Sequence, residues 1–399
     1  MTHFNPDMLS IARNFRGLSQ TELIAGMGQS ITQASLSKIE SGDLKPSDEV
    51  IQNLSNALHF PIRFFEHIEK LNALPISLHA YRKKSSTTAK ALSRMNAEMM
   101  LKMGHVQTLE LLTNVPKRKN SLPTFKIGID VNTPQEAAKK LRSLWVLGNE
   151  PLENLTATVE DAGVLVFLCD FKDNNVDGVS LKMHGVSPCV FLNANQPNDR
   201  IRFTLAHELG HLVLHRHIQR TTDRDRHKLM EKQAHHFAGA FLLPAETFAS
   251  EVRMPVTLDD LLLLKRRWGV SVAAITMRLH ALGLLDEDGK LALFKRRSAR
   301  WGGKSEPGDG DRKPEQPRLL RRTVDLLVDE NVMPLDAIPR HIGLAAFDIE
   351  MLAGLPEGFF QGKSNIVQFA RLRTVQTNAE ERVGHDSTVV LPFRTPSKT

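Results

Sequence analysis

Two histidines and a glutamate near the middle of the chain have the residue types and the spacing of a hydrolytic metal site. They lie in His-Glu-Leu-Gly-His, residues 207–211, inside the longer run RFTLAHELGHLVLH. Residues four positions apart share one face of a helix, so His207 and His211 can present two imidazoles to one metal ion. Zinc held there would polarise a peptide carbonyl and activate a water molecule, from which Glu208 can remove a proton. The spacing predicts a zinc peptidase site with Glu208 as catalytic base.

The alternative is an ordinary amphipathic helix whose histidines are hydrogen-bonded in the core or exposed to solvent. The residues around the motif are apolar: Phe203, Leu205, Leu209, Leu212 and Val213. Such surroundings predict a buried helix, and buried histidine and glutamate side chains need partners. We therefore favour the metal site.

A catalytic zinc ion usually has three protein ligands, so a third residue is needed. Glu231 begins the amphipathic pattern of the next helix, and a carboxylate from a second helix facing two histidines is the gluzincin arrangement. The alternative for Glu231 is a solvated glutamate favoured by the helix dipole. His217 is six residues after His211, but Leu214 stands where a turn-forming glycine would be needed. His235, four residues after Glu231, is a ligand or a transition-state donor.

The elements that must hold these residues are short strands followed by helices. Strands are predicted at GVLVFLC, DGVSLKMHG and PCVFLNAN, just before the motif helix. Helices are predicted at MEKQAHHFAGAFLLP, LDDLLLLKRRWG and VSVAAITMRLHALGLL after it. A weak helix with a glycine stop, FDIEMLAGLP, and a final strand and tail, DSTVVLPFRTPSKT, are predicted near the C-terminus.

The N-terminal sequence predicts short helices with capping residues at Ser19, Thr32 and Ser47, and a stop at Gly42. Two short helices joined by a tight turn allow the second to enter the major groove of DNA. Short polar side chains on that helix could reach base edges, and others could contact phosphates. The predicted DNA-contacting residues are Gln20, Thr32, Gln33, Ser35, Ser37 and Lys38. The predicted core residues are Ala25, Leu36 and Ile39. A dimerisation or protein-binding module of the same fold is the alternative.

Composition agrees with a soluble regulator. The 399 residues carry a net charge of +7, which suits a polyanionic partner. Two cysteines, Cys169 and Cys189, are too few for a disulfide framework and fit a reducing compartment. No signal peptide and no apolar run of about 18 residues are recognisable, so we expect no membrane association. The expected location is the cytoplasm, on the nucleoid.

The predicted fold class is α+β, mostly α. An N-terminal all-α helix-turn-helix domain is expected over 1–65 and a basic helical connector over 66–125. A gluzincin-like helical domain with a small β-sheet is expected over 126–290. An exposed linker rich in glycine, proline and charge follows over 291–318. Residues 319–399 are expected to form a small C-terminal domain of unknown role.

Two families are similar to parts of this chain. DRIRFTLAHELGHLVLH, EKQAHHFAGAFLLP and GVSVAAITMRLHALGLL, within roughly 130–290, resemble the ImmA/IrrE metallopeptidase-like proteins. The resemblance implies a zinc ion on His207, His211 and Glu231, with Glu208 as the base. Some members carry a glutamate where this chain has Gln233. GLSQTELIAGMGQSITQASLSKIESGDLKPSDEVIQNLSNAL resembles the Cro/C1-type (XRE) helix-turn-helix, which implies binding of operator DNA by a homodimer.

Three functions follow from these patterns. The first is a transcription regulator that is also a zinc peptidase and cleaves a partner regulator or itself. The second keeps DNA binding but uses the zinc fold as a non-catalytic sensor of a ligand or partner. The third is the regulatory half of a toxin–antitoxin or mobile-element system. Retention of Glu208 favours chemistry, since zinc binding alone does not need it.

Overall fold

The computed structural model describes residues 4–66, 88–113, 122–171, 176–181, 187–216, 223–303 and 305–361. Within these ranges the chain is mostly helical, with one small three-stranded sheet. The predicted α+β, mostly α, fold class is confirmed. None of the described helices has the length and apolar character needed to cross a membrane.

Four helices and a short 3-10 helix form the N-terminal region. They are α1 (Pro6–Phe15), α2 (Gln20–Gly26), α3 (Gln33–Ser41), α4 (Asp48–Leu58) and the 3-10 helix Ile62–Glu66. Hydroxyl groups cap α2, α3 and α4 at Ser19, Thr32 and Ser47, as predicted. Gly42 has a left-handed conformation after α3, which is the predicted stop.

Two of the three residues predicted to lie in the core of this region are buried. Leu36 and Ile39 are buried on α3. The prediction that Ala25 is a core residue is wrong, because Ala25 is exposed. On α2 the inward positions are Leu23 and, one turn later, Met27, and a residue two positions from either of them points away from the core.

One long helix, α5 (Ala89–Thr113), contacts both halves of the molecule. Its buried methionines, among them Met95 and Met99, pack on the β-sheet, while Ala97 and Leu101 pack into the N-terminal core. Lys102 is buried and donates a hydrogen bond of 2.8 Å to the carbonyl of Leu168. A helix with two apolar faces of this kind joins the layers on either side of it.

The sheet contains the three predicted strands. They are β1 (Leu165–Cys169), β2 (Gly178–Leu181) and β3 (Cys189–Asn193), in the order β1-β3-β2. β1 is parallel to β3, and β2 is antiparallel to it. Alternate residues face opposite sides, so Phe167 and Phe191 stack under α5 while Val166 and Val190 face the central helices. Both cysteines are buried thiols.

Eight further helices are described between residues 134 and 301. They are α6 (Pro134–Leu144), α7 (Leu155–Asp161), α8 (Asn198–Leu214), α9 (Arg224–Leu242), α10 (Ala245–Ser250), α11 (Leu258–Trp268), α12 (Val272–Ala281) and α13 (Glu287–Trp301). Of these, α7 and α8 pack on the sheet. α8 packs on β2, β3 and α9, so the motif helix lies between the sheet and the next helix. Leu205, Leu209, Phe237 and Phe241 form the centre of this core.

The structure differs from the exposed linker expected over 291–318. α13 continues to Trp301, and the carboxylate of Glu306 is buried beneath it. Glu306 accepts hydrogen bonds from the backbone of Val272 and from Lys265, and Glu315 pairs with the buried Arg202. Buried cations need counter-charges, and Glu306 and Glu315 supply them. The amino-acid composition of the segment does not reveal this role.

The C-terminal helices share a hydrophobic core with the N-terminal region. They are α14 (Leu319–Asp329), α15 (Ala337–Ile342) and α16 (Ala346–Ala353), followed by a 3-10 helix at Phe359–Gln361. Val324, Leu327 and Ile349 are fully buried among side chains of α1, α4 and α5. The predicted glycine stop after α16 is at Gly354. The strand predicted in DSTVVLPFRTPSKT is outside the described residues.

Candidate functional site

Helices α8 and α9 bring three potential metal ligands together. His207 and His211 lie one turn apart on α8, and their Nε2 atoms are 3.1 Å apart. From α9, one carboxylate oxygen of Glu231 lies 3.2 Å from His211 Nε2 and the other lies 3.4 Å from His207 Nε2. The three residues predicted as ligands are therefore adjacent, and their side chains are between 13 and 20% exposed.

The spacing of these atoms fits a tetrahedral zinc ion. Metal–ligand bonds of about 2.0–2.1 Å give a tetrahedron with edges of about 3.3 Å. The three observed separations of 3.1, 3.2 and 3.4 Å are close to that edge length. Two imidazoles and one carboxylate also leave a fourth position, the arrangement typical of catalytic rather than structural zinc.

A glycine permits this close approach of the two helices. A Cβ atom at Gly210 would lie 3.0 Å from the ring of Phe237 and 3.3 Å from the backbone of Ala234. Ala234 and Phe237 are on α9, three and six residues after Glu231. Glycine between Glu208 and His211 thus allows the Glu231 carboxylate to reach both histidines.

The charge of Glu231 is set by its two neighbours. Burial raises the pKa of its carboxyl group, but hydrogen bonds with His207 and His211 and the electrostatic attraction between these groups lower the pKa by more, so the pKa lies well below its usual range. Glu231 therefore remains a carboxylate at neutral pH, the form that binds a cation.

Glu208 is buried beside the cluster and is held by a residue that sequence reasoning missed. The hydroxyl of Ser180, on β2, donates a hydrogen bond of 2.7 Å to Glu208 Oε2. Ser180 faces α8 because it alternates with the buried Val179 along the strand. The alternation in DGVSL could have indicated this face, but it does not indicate which helix covers it.

His235 lies next to the cluster rather than in it. Its ring is 6.3 Å from that of His207 and 4.9 Å from that of Phe203. On the other side of His211, His215 Nδ1 is 3.0 Å from His211 Nδ1. The sequence alternative His217 lies outside the described residues.

A second acidic group, Asp199, Glu306 and Asp309, also has the spacing of a cation site. An ammonium group already fills it: Lys265 Nζ lies 2.9 Å from Asp199 and 3.1 Å from Glu306, and it contacts Asp309. Burial raises the pKa of Asp199, against the opposing effect of Lys265. This cluster anchors the N-terminal end of α8 to α11 and to the segment after α13.

The predicted DNA-contacting residues lie on or near α3. Gln33, Ser37 and Lys38 are exposed on α3, and Ser35 is half-buried next to the cap. Thr32 is exposed and accepts a hydrogen bond from the backbone of Ser35. Gln20 donates a hydrogen bond of 2.9 Å to Glu40. The α3 face is therefore polar and accessible, while Gln20 also connects α2 to α3.

Comparison with known families gives two matches. Residues 159–280 match the IrrE N-terminal-like domain of the M78 peptidases. Residues 9–65 match a helix-turn-helix domain. The comparison with curated proteins gives no match. The chain therefore joins a region similar to XRE-type helix-turn-helix domains to a region similar to the IrrE N-terminal-like domain of the M78 peptidases.

Proposed function

We propose that this protein is a transcription regulator whose IrrE-like region is a zinc-dependent endopeptidase acting on a partner regulator or on the chain itself. The observation that carries the proposal is the tetrahedral spacing of His207, His211 and Glu231. Glu208 follows His207 directly and is buried beside them.

Each side chain has a distinct role in this proposal. His207, His211 and Glu231 hold the zinc ion, which when bound polarises the scissile carbonyl and activates water. Glu208 takes a proton from the attacking water molecule and passes it to the leaving amine. Ser180 holds the Glu208 carboxylate in one orientation through its hydrogen bond.

The position of β2 favours an extended peptide as substrate. Among the described strands β2 is at an edge of the sheet, and its Ser180 contacts the proposed base. An extended chain can add to such an edge through backbone hydrogen bonds, which would lead it past Glu208.

Metal content tests the site. We expect about one zinc per chain in the purified full-length protein and loss of zinc in His207→Ala and Glu231→Ala. With zinc loaded, Glu208→Gln should retain the metal and lose cleavage of co-expressed partners and of the chain. Absence of zinc from the wild type after loading would reject the proposed site. Equal cleavage by wild type and Glu208→Gln would reject the catalytic role.

The helix-turn-helix region is proposed to bind a nearly palindromic operator as a homodimer. Gel-shift titration at several salt concentrations should give a salt-sensitive affinity that is lost when residues 1–65 are deleted. Binding that survives the deletion would exclude this region as the DNA reader.

One observation favours the second candidate function, a zinc fold that senses without cleaving. α5 packs on the sheet beside the metal site and also into the core of the helix-turn-helix region. A change in one region could therefore reach the other through a packed helix. In that case Glu208→Gln would leave operator control in cells unchanged, whereas His207→Ala would alter it.

A further inference from the structure

A line of three side chains extends from the proposed metal site into the protein. His211 Nδ1 lies 3.0 Å from His215 Nδ1, and His215 Nε2 lies 2.9 Å from Gln233 Oε1. His215 is 6% exposed, at the residue where α8 ends, and Gln233 is on α9. α9 therefore supplies Glu231 on one side of His211 and Gln233 at the far end of this line.

The chemistry of the three groups specifies where the protons are. An amide oxygen can only accept, so His215 Nε2 carries the hydrogen that it donates to Gln233. In a neutral imidazole the second nitrogen is then an acceptor, and His215 Nδ1 must receive a hydrogen from His211 Nδ1. When zinc is bound, His211 would then offer it the lone pair of Nε2, the atom that lies beside His207 and Glu231.

We propose that His215 and Gln233 are positioning residues that hold His211 in the tautomer with hydrogen on Nδ1 and the lone pair on Nε2. The proposal rests on the proposed zinc site for its purpose. Groups behind a metal-binding histidine orient its ring and strengthen it as a ligand, and their loss typically weakens metal binding about 10- to 100-fold.

The first test reads the hydrogen on His211 Nδ1 in the zinc-loaded protein. Long-range proton–nitrogen spectra of the zinc-loaded full chain with labelled histidines should show an Nδ1–H on His211 that is protected from solvent exchange in the wild type and loses that protection in His215→Phe. His215→Asn, whose amide oxygen can accept the same hydrogen, should restore it. His227→Phe, on the first part of α9, is the control and should leave the His211 signal unchanged.

The second test measures zinc affinity by competition with a chelator. His215→Phe should bind zinc about 10- to 100-fold more weakly than the wild type, and His215→Asn should recover part of the loss. Gln233→Met, which removes the last acceptor, should also weaken binding. This variant provides an independent test if His215→Phe does not fold.

The outcomes separate this inference from the proposed function. A wild type that binds zinc, together with unchanged affinity and an unchanged His211 Nδ1–H signal in both His215→Phe and Gln233→Met, would overturn the positioning role and leave the zinc site intact. A wild type that binds no zinc would reject the proposed function and, with it, this inference.

Discussion

Arg16 and Asp348 form a two-point ion pair across 332 residues of chain. Two guanidinium nitrogens of Arg16 each lie 2.7 Å from a carboxylate oxygen of Asp348, whose side chain is fully buried. The same guanidinium donates to the carbonyls of Leu58 and His59 and lies over the ring of Phe60. Arg16 thus connects α1, the end of α4 and α16.

Loss of Asp348 should therefore destabilise the N-terminal and C-terminal regions together. Asp348→Ala leaves the partly buried Arg16 without its counter-charge, and we expect the free energy of unfolding to fall by about 3 kcal/mol. Denaturant unfolding of the full chain measures this. Asp325→Ala removes the carboxylate of an exposed pair with Arg321 and should cost less than about 1 kcal/mol. Equal losses in the two variants would show that Asp348 has no special structural role.

Addition of one methyl group at Gly210 should disturb the packing of α8 against α9. Gly210→Ala would press on Phe237 and Ala234, and we expect a loss of about 1–3 kcal/mol of stability together with weaker zinc binding. Gly239→Ala, on α9, meets no atom closer than 3.8 Å and should stabilise the protein by about 0.5–1 kcal/mol. Thermal unfolding and chelator competition check both variants. Zinc affinity unaffected by Gly210→Ala would contradict the close-approach argument.

The hydrogen bond from Ser180 should matter for cleavage but not for zinc. Ser180→Ala removes a hydrogen bond to a charged group, worth about 1.5 kcal/mol, so cleavage should slow about 10-fold at constant zinc content. Ser143→Ala, at an exposed hydroxyl on α6, provides the matched control. If Ser180→Ala cleaves at the wild-type rate, Glu208 does not depend on β2 for its orientation.

The buried Lys265 should make stability depend on pH in the alkaline range. Burial lowers the pKa of its ammonium group, but hydrogen bonds to Asp309 and Asp199 outweigh burial and raise the pKa above its ordinary value of 10.5. A raised lysine pKa contributes stability that is complete below 10.5 and is lost as the pH rises through the higher folded value. The difference in unfolding free energy between wild type and Lys265→Met should therefore be largest at neutral pH and shrink above 10.5. Lys228→Met, at an exposed lysine, should show little difference at any pH. A Lys265→Met difference that grows with pH would contradict the assignment.

Two residues on α3 should contribute differently to DNA binding, Lys38 to the affinity for any DNA and Gln33 to sequence specificity. Lys38→Ala should weaken binding to all DNA sequences about equally. It should also reduce the slope of log affinity against log salt concentration by about 1, the contribution of one phosphate contact. Gln33→Ala should instead cost about 1–3 kcal/mol on the operator and relax the preference at one base pair. Gel-shift titrations on operator and mutated operator distinguish the two. Gln52→Ala, on α4, should leave both properties unchanged.

Much of the local structure could be predicted from residue spacing. The caps at Ser19, Thr32 and Ser47 and the stop at Gly42 depend on hydrogen bonds and backbone preferences within four residues. The three strands and the shared helix face of His207 and His211 also depend only on residues close to one another in the sequence. The prediction that Ala25 is a core residue is wrong because a seven-residue helix is too short for its periodicity to identify the inward face.

Contacts between distant segments could not be predicted in this way. Ser180 and Glu208 meet because the order of the strands places β2 beside α8, and Lys265 finds three carboxylates because residues 305–309 return to α11. The C-terminal helices join the N-terminal core, a contact that the predicted small C-terminal domain over 319–399 does not include.

The amino-acid sequence by itself determined most of the helices, the three described strands and the residue types of the proposed zinc site, because each depends on interactions over a few neighbouring residues. Only the tertiary structure decided that Glu231 reaches His207 and His211, that His215 and Gln233 lie behind them, and that Arg16 pairs with Asp348. Such pairs depend on the path of the whole chain, and the burial that makes them strong exists only once the layers have packed.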